Sequence, residues 1–98
     1  METKYYALRL LPCRSDFAFT MSDEERNLMQ QHVAYWMDKM QEGKVIVFGP
    51  VMDPKSPYGL GIIVAQDEKE VQYFIALDPA STINRYEYHQ MMAIVPGK

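Results

Sequence analysis

Strand-like and helix-like periodicities alternate along this chain in the order β-α-β-β-α-β, and that order constrains the fold more than any other feature. Lys4 to Leu11 is a tyrosine- and leucine-rich run that reads as a strand, ended by Pro12, which has no N–H to give to a ladder. Cys13 to Met21 reads as a polar loop carrying Phe17 and Phe19. Ser22 then opens a helix. With Glu25 it forms a capping box, and Asp23, Glu24 and Glu25 complement the positive end of the helix dipole. Leu28, Met29, Val33, Trp36, Met37 and Met40 recur along one helical face, and Gly43 supplies the stop. Val45 to Val51 and Gly59 to Ala65 are strands flanking the proline-rich loop Asp53 to Tyr58, which predicts an antiparallel hairpin. Asp67 caps a second helix whose buried stripe is Val71, Phe74 and Ile75, and Pro79 ends it. Tyr86 to Val95 is the fourth strand.

This is the split-βαβ plan, an α+β ferredoxin-like sandwich with one antiparallel sheet and both helices on one of its faces. A chain of 98 residues holds one such domain, residues 1–98, and 48% hydrophobic against 23% charged residues is globular rather than disordered composition. The second sheet face has no element left to cover it. Yet both alternating sets are apolar in Val45-Ile46-Val47-Phe48 and in Leu60-Gly61-Ile62-Ile63-Val64-Ala65, the pattern of strands buried on both sides. A homodimer packed sheet to sheet is therefore expected, since patches of that size are uncommon on monomers.

Charge and cysteine usage narrow the function classes. A net charge of -3 disfavours a nucleic-acid binder, which needs a basic stripe to displace counterions. No run is long and apolar enough for a membrane span, and Met1-Glu2-Thr3-Lys4 leads into a strand rather than a signal sequence. Cys13, the single cysteine, cannot form an internal disulfide, and a cytoplasmic location is expected.

Two ionisable residues interrupt the apolar stripes. His32 stands in the row Leu28-His32-Trp36-Met40, and Asp78 completes the stripe Val71-Phe74-Ile75-Asp78. If both helices lie on one sheet face, each places one such group in the interior. A buried carboxylate without a partner is costly, and an imidazole wants a partner for each nitrogen, so the two are expected to meet, directly or through water. Such a pair has two readings. It can orient an imidazole for proton transfer, or it can simply lock one helix to the other.

The stretch His32-Val33-Ala34-Tyr35-Trp36, then Gly43-Lys44-Val45, Gly49-Pro50, Asp78-Pro79 and Tyr86-Glu87 resembles the YCII-like family pattern over about residues 4 to 95. The resemblance implies a ferredoxin-like fold that dimerises into an α/β-barrel arrangement, and an active site centred on a histidine and an aspartate, here His32 and Asp78. It also implies proton-transfer chemistry without a cofactor; one member is associated with elimination of chloride from a chlorinated hydroxyquinol. Asn84 stands where the family often has a glycine, and asparagine's tolerance of positive φ is expected to preserve that turn.

The remaining candidates are weaker. Gly49 would let a substrate approach the backbone and Pro50 would hold that turn. Arg9, mid-strand, suits an anionic substrate or an acid across the dimer. Trp36, Tyr35, Phe48 and Tyr58 are candidates for an aromatic pocket, although core packing is the ordinary role of Trp36 and Phe48. Cys13 beside Arg14 reads as an incidental loop cysteine, and His89 as a surface or interface residue. Two histidines without local spacing predict no metal site. The expectation is a small cofactor-independent enzyme acting on a small polar or aromatic molecule as a lyase, isomerase or hydrolase. The alternative is a non-enzymatic dimeric module that binds a small ligand or a protein.

Overall fold

The computed structural model describes residues 3–97, so Met1 and Glu2 of the opening tetrapeptide lie outside the described residues. The elements are β1 (Lys4–Leu11), α1 (Phe17–Thr20), α2 (Asp23–Gln41), β2 (Val45–Val51), β3 (Tyr58–Ala65), α3 (Glu68–Ala76), a 3₁₀ turn (Pro79–Thr82) and β4 (Arg85–Met91). The sheet order is β2-β3-β1-β4, and every pairing is antiparallel. This is the ferredoxin-like α+β sandwich expected from the order of elements.

The caps operate as the residues suggest. Ser22 and Glu25 form both arms of a capping box at α2, and the Asp67 side chain takes the Glu70 N–H at α3. Tyr6, Leu8 and Leu10 of β1 turn inward, joined by Trp36, Val45, Ile63, Val71 and Phe74 in the core. The edge strand β2 carries a bulge between Val45 and Val47. The extra residue shifts the alternation, so that Val45 and Phe48, opposite Ile63 and Gly61, share the helix-side face. That shift turns Phe48 toward Trp36, with ring centroids 5.3 Å apart. Pro50 is tolerated because β2 lies at the sheet edge.

Three local expectations are corrected. The segment read as a loop contains α1, a single turn that buries Phe17. Val33, Met37 and Met40 were expected on the buried face of α2 but are exposed. A row spaced by four residues rotates about 40° per step around an α-helix, so it leaves the buried face before it ends. The fourth strand stops at Met91 rather than Val95, and Met92 and Ile94 lie in the open.

Candidate functional site

Asp78 meets His32, but not from a helix. Helix α3 ends at Ala76 with Leu77 as its cap, and Asp78 has extended backbone (φ -76°, ψ 124°) as the N-cap of the 3₁₀ turn. Pro79 is the cause: its ring disfavours helical backbone at the residue before it. Pro79 also has no N–H, so the first free donor of the turn is that of Ala80, which binds Asp78 Oδ1 at 2.9 Å.

His32 projects from α2 with Nδ1 2.8 Å from Asp78 Oδ2 and 3.0 Å from Oδ1. One helical turn on, the Trp36 indole Nε1–H donates to Asp78 Oδ2 at 2.7 Å. The Tyr86 hydroxyl, from β4, donates to the same oxygen. Four donors therefore converge on a carboxylate that is 1% exposed. Burial works against its charge, but the hydrogen bonds from His32 and Tyr86, the attraction of His32 and the Ala80 N–H outweigh it and hold the carboxyl below its usual range. The same corner raises the Tyr86 phenol well above its usual range, first by burial and then by repulsion from Asp78. Tyr35, whose hydroxyl donates to the Phe74 carbonyl at 2.6 Å, is pushed up to about 12, chiefly by burial.

An ionised carboxylate only accepts, so Nδ1 carries a proton toward Asp78, and a neutral imidazole held this way has its lone pair at Nε2. His32 is 8% exposed and lines a cavity of about 250 Å³. Leu8, Leu10, Phe17, Met29, Trp36 and Phe48 are among its walls, which are largely apolar. Among the described residues, every buried side-chain nitrogen and oxygen has a partner. With Nδ1 committed to Asp78, Nε2 is the nitrogen available to a molecule in the cavity.

The profile of the YCII-related domain matches residues 6–94. The chain belongs to the YCII-related family. No curated protein sequence matches it. Two crystal structures of SnoaB, a cofactor-independent oxygenase from Streptomyces nogalater, share the fold. One, an asparagine-to-alanine variant, has a TM-score of 0.51 and 11% identity and covers 100% of both chains. The other has a TM-score of 0.50 and 10% identity, covering 99% of this chain and 98% of that one.

Within this YCII-related domain the other candidates separate. Trp36 belongs both to the core and to the cavity wall, and it is also a donor to Asp78. Gly49 and Pro50 line the cavity, but Gly49 has ordinary φ and open space where a Cβ would stand. Arg9 lies on the opposite sheet face, stacked 4.5 Å from the Tyr58 ring centroid and 3.8 Å from Glu87 of its own chain. His89 is exposed on β4. Among the described residues, no group of three or more His, Cys, Asp or Glu is placed to hold a metal ion, and no helix is long and apolar enough to cross a membrane.

Three features of the site escaped the sequence reading. Tyr86 was noted only as a family match, although its inward register opposite Leu10 marks it as a site residue. The Ala80 N–H becomes visible once the proline before it is treated as a turn start. Asn84 does not use the left-handed backbone expected of it, since only Gly43 and Gly97 among the described residues have positive φ. Its side chain instead ties down the segment after β1, accepting the Cys13 N–H at 3.1 Å.

Proposed function

We propose that this domain is a cofactor-independent enzyme in which His32 Nε2 accepts a proton from a small, largely apolar or aromatic substrate. The observation that carries this reading is an imidazole anchored at Nδ1 by a buried carboxylate and lining a cavity of about 250 Å³. Asp78 fixes the tautomer and stabilises the imidazolium that forms. The bond to hydrogen breaks at the substrate, its electron pair stays on the substrate, and the proton moves to Nε2. Return of that proton to another atom gives isomerisation; departure of an adjacent leaving group gives elimination. The fold shared with a cofactor-independent oxygenase supports a cofactor-free reading.

The second reading, a binding module with a structural pair, draws on the four donors at Asp78, which would brace α2, the 3₁₀ turn and β4 without any chemistry. Deuterium uptake separates the two. Small enolisable ketones, whose carbon-bound protons exchange slowly on their own, are incubated with protein in D2O. Catalysed exchange is expected from the wild type, with a fall of about 10²- to 10⁴-fold in His32→Gln. Equal exchange by the two proteins would exclude His32 as the base.

The proposed assembly is a homodimer through the open sheet face. Val47, 56% exposed, and the half-buried Leu60, Ile62 and Val64 supply an apolar patch, whereas the β4 share of that face is Arg85, Glu87 and His89. Light scattering is expected to give twice the 11.4 kDa chain mass, and Val47→Lys to give the monomer.

A further inference from the structure

We infer that Asn84 is the oxygen-recognising residue of the cavity, and that the site takes compact apolar or aromatic molecules bearing a carbonyl or hydroxyl oxygen. The inference rests on the proposed role of His32 and names the substrate class that goes with it.

The orientation of the Asn84 amide is settled by its neighbour. The Cys13 backbone N–H is a donor, so the oxygen of the amide must face it, at 3.1 Å. The amide nitrogen therefore points the other way, where it meets Met29 Sδ at 3.6 Å. A thioether is a weak acceptor, so the donor capacity of this nitrogen is largely unspent. Asn84, Met29 and His32 all line the same cavity. Tyr86 lines it too, but its hydroxyl proton is committed to Asp78. In a mainly apolar chamber, Asn84 Nδ2–H and His32 Nε2 are thus a donor and a base left for a ligand.

That pairing has a chemical meaning. When a base removes a proton next to a carbonyl, or from a phenol, negative charge collects on oxygen. A neutral amide donor in a poorly solvated cavity stabilises that charge and is already oriented before the reaction. A hydrocarbon of the same shape would gain nothing from the amide. Among the described residues no lysine or arginine lines the cavity, and Arg9 lies across the sheet, so an anionic substrate would gain no such partner here.

The test uses a matched pair, acetophenone and α-methylstyrene, which differ by an oxygen replaced by a methylene. Binding is followed by NMR through the Asn84 side-chain amide and the Trp36 indole. The expected result is that acetophenone binds the wild type about threefold to tenfold more tightly than α-methylstyrene, the range of one net hydrogen bond, and shifts the Asn84 amide resonances. Asn84→Asp keeps the oxygen that holds Cys13 and removes the donor. It is expected to abolish the preference while leaving α-methylstyrene affinity within about twofold. His32→Gln is expected to keep the preference. Equal affinity of the wild type for the two probes, no detectable acetophenone binding, or an unchanged preference in Asn84→Asp would overturn the inference. The two proposals fail separately: an oxygen preference without catalysed deuterium exchange sinks the base and spares Asn84, and exchange that is indifferent to Asn84→Asp does the reverse.

Discussion

Asp78 and Glu25 each accept hydrogen bonds from several donors, and both carboxyls lie below their usual range. Asp78 takes its donors in the interior: an imidazole, an indole, a phenol and a peptide N–H. Glu25, near the surface, takes the Arg14 guanidinium at 2.9 and 3.0 Å and the Ser22 N–H at 2.9 Å, and is held at about 2, first by Arg14 and then by Ser22. The two shifts share a direction and differ in consequence. Water competes for every partner of Glu25 and screens its charge, so little of that shift becomes stability. No water competes at Asp78, where the His32, Tyr86 and Ala80 donors would be left unpaired if the carboxylate went and the Trp36 N–H would keep only the Tyr86 hydroxyl at 3.2 Å. Hydrogen-bond counts alone, four donors against three, would set the two sites close together; burial separates them.

Removal of Asp78 is the severest test of that contrast. Asp78→Ala leaves the Trp36, Tyr86 and Ala80 donors without their acceptor, and is expected to destabilise by about 3–5 kcal/mol in urea unfolding. A loss no larger than that of an ordinary surface substitution would mean that water enters the corner, and the distinction between the two carboxylates would fall.

A change with no polar atom tests the same corner from behind. A Cβ on Gly61 would stand 2.2 Å from Trp36 Cζ3, far inside van der Waals contact with the indole. Gly61→Ala must therefore displace the side chain whose Nε1–H donates to Asp78. The expected cost is about 1–3 kcal/mol, as for other overpacked cores, with a red shift of Trp36 fluorescence. An unshifted spectrum at wild-type stability would show that the donor shell does not depend on how tightly the indole is seated.

These sites also show where sequence reasoning holds. The meeting of His32 and Asp78 was legible because an ionisable group on an apolar stripe needs a partner, and the interior offered few. The element carrying Asp78 was misread because helical spacing continued past a residue that Pro79 excludes from the helix. Tyr86 and Gly61 were harder for a different reason: each acts through a neighbour distant in sequence, so their roles exist only once β3, β4 and α2 are assembled. Arg9 shows the same limit, since which face of β1 lies under the helices depends on the whole sheet.

The pH dependence should follow Asp78. Its folded-state carboxyl is depressed, so its contribution to stability is complete above the unfolded value of about 3.9 and is lost as pH falls from there through the folded value. Wild-type urea midpoints are expected to drop on going from pH 5 to pH 3, and Asp78→Asn is expected to flatten that limb. Tyr86 works in the opposite sense: a raised phenol contributes stability below about 10 and loses it as pH climbs further, so Tyr86→Phe should flatten the alkaline limb. An acid limb equally steep in Asp78→Asn would transfer the effect to other carboxyls.

Glu25→Gln should produce the smallest change in global stability and a distinct local one. Arg14 holds Glu25, the Thr20 carbonyl at 2.6 Å and the Thr20 hydroxyl at 2.9 Å, while its guanidinium sits 5.2 Å from the Phe17 ring centroid. These contacts fasten α1, whose Phe17 and Ala18 form part of the cavity wall. Loss of the ion pair is expected to leave the urea midpoint close to that of the wild type and to hasten tryptic cleavage after Arg14, because local opening tracks local contacts rather than global stability. High salt should reproduce the effect in the wild type by screening the pair. Faster cleavage together with a lowered midpoint would mean that Glu25 is coupled to the interior after all, and that α1 is part of the cooperative core rather than a strap laid across it.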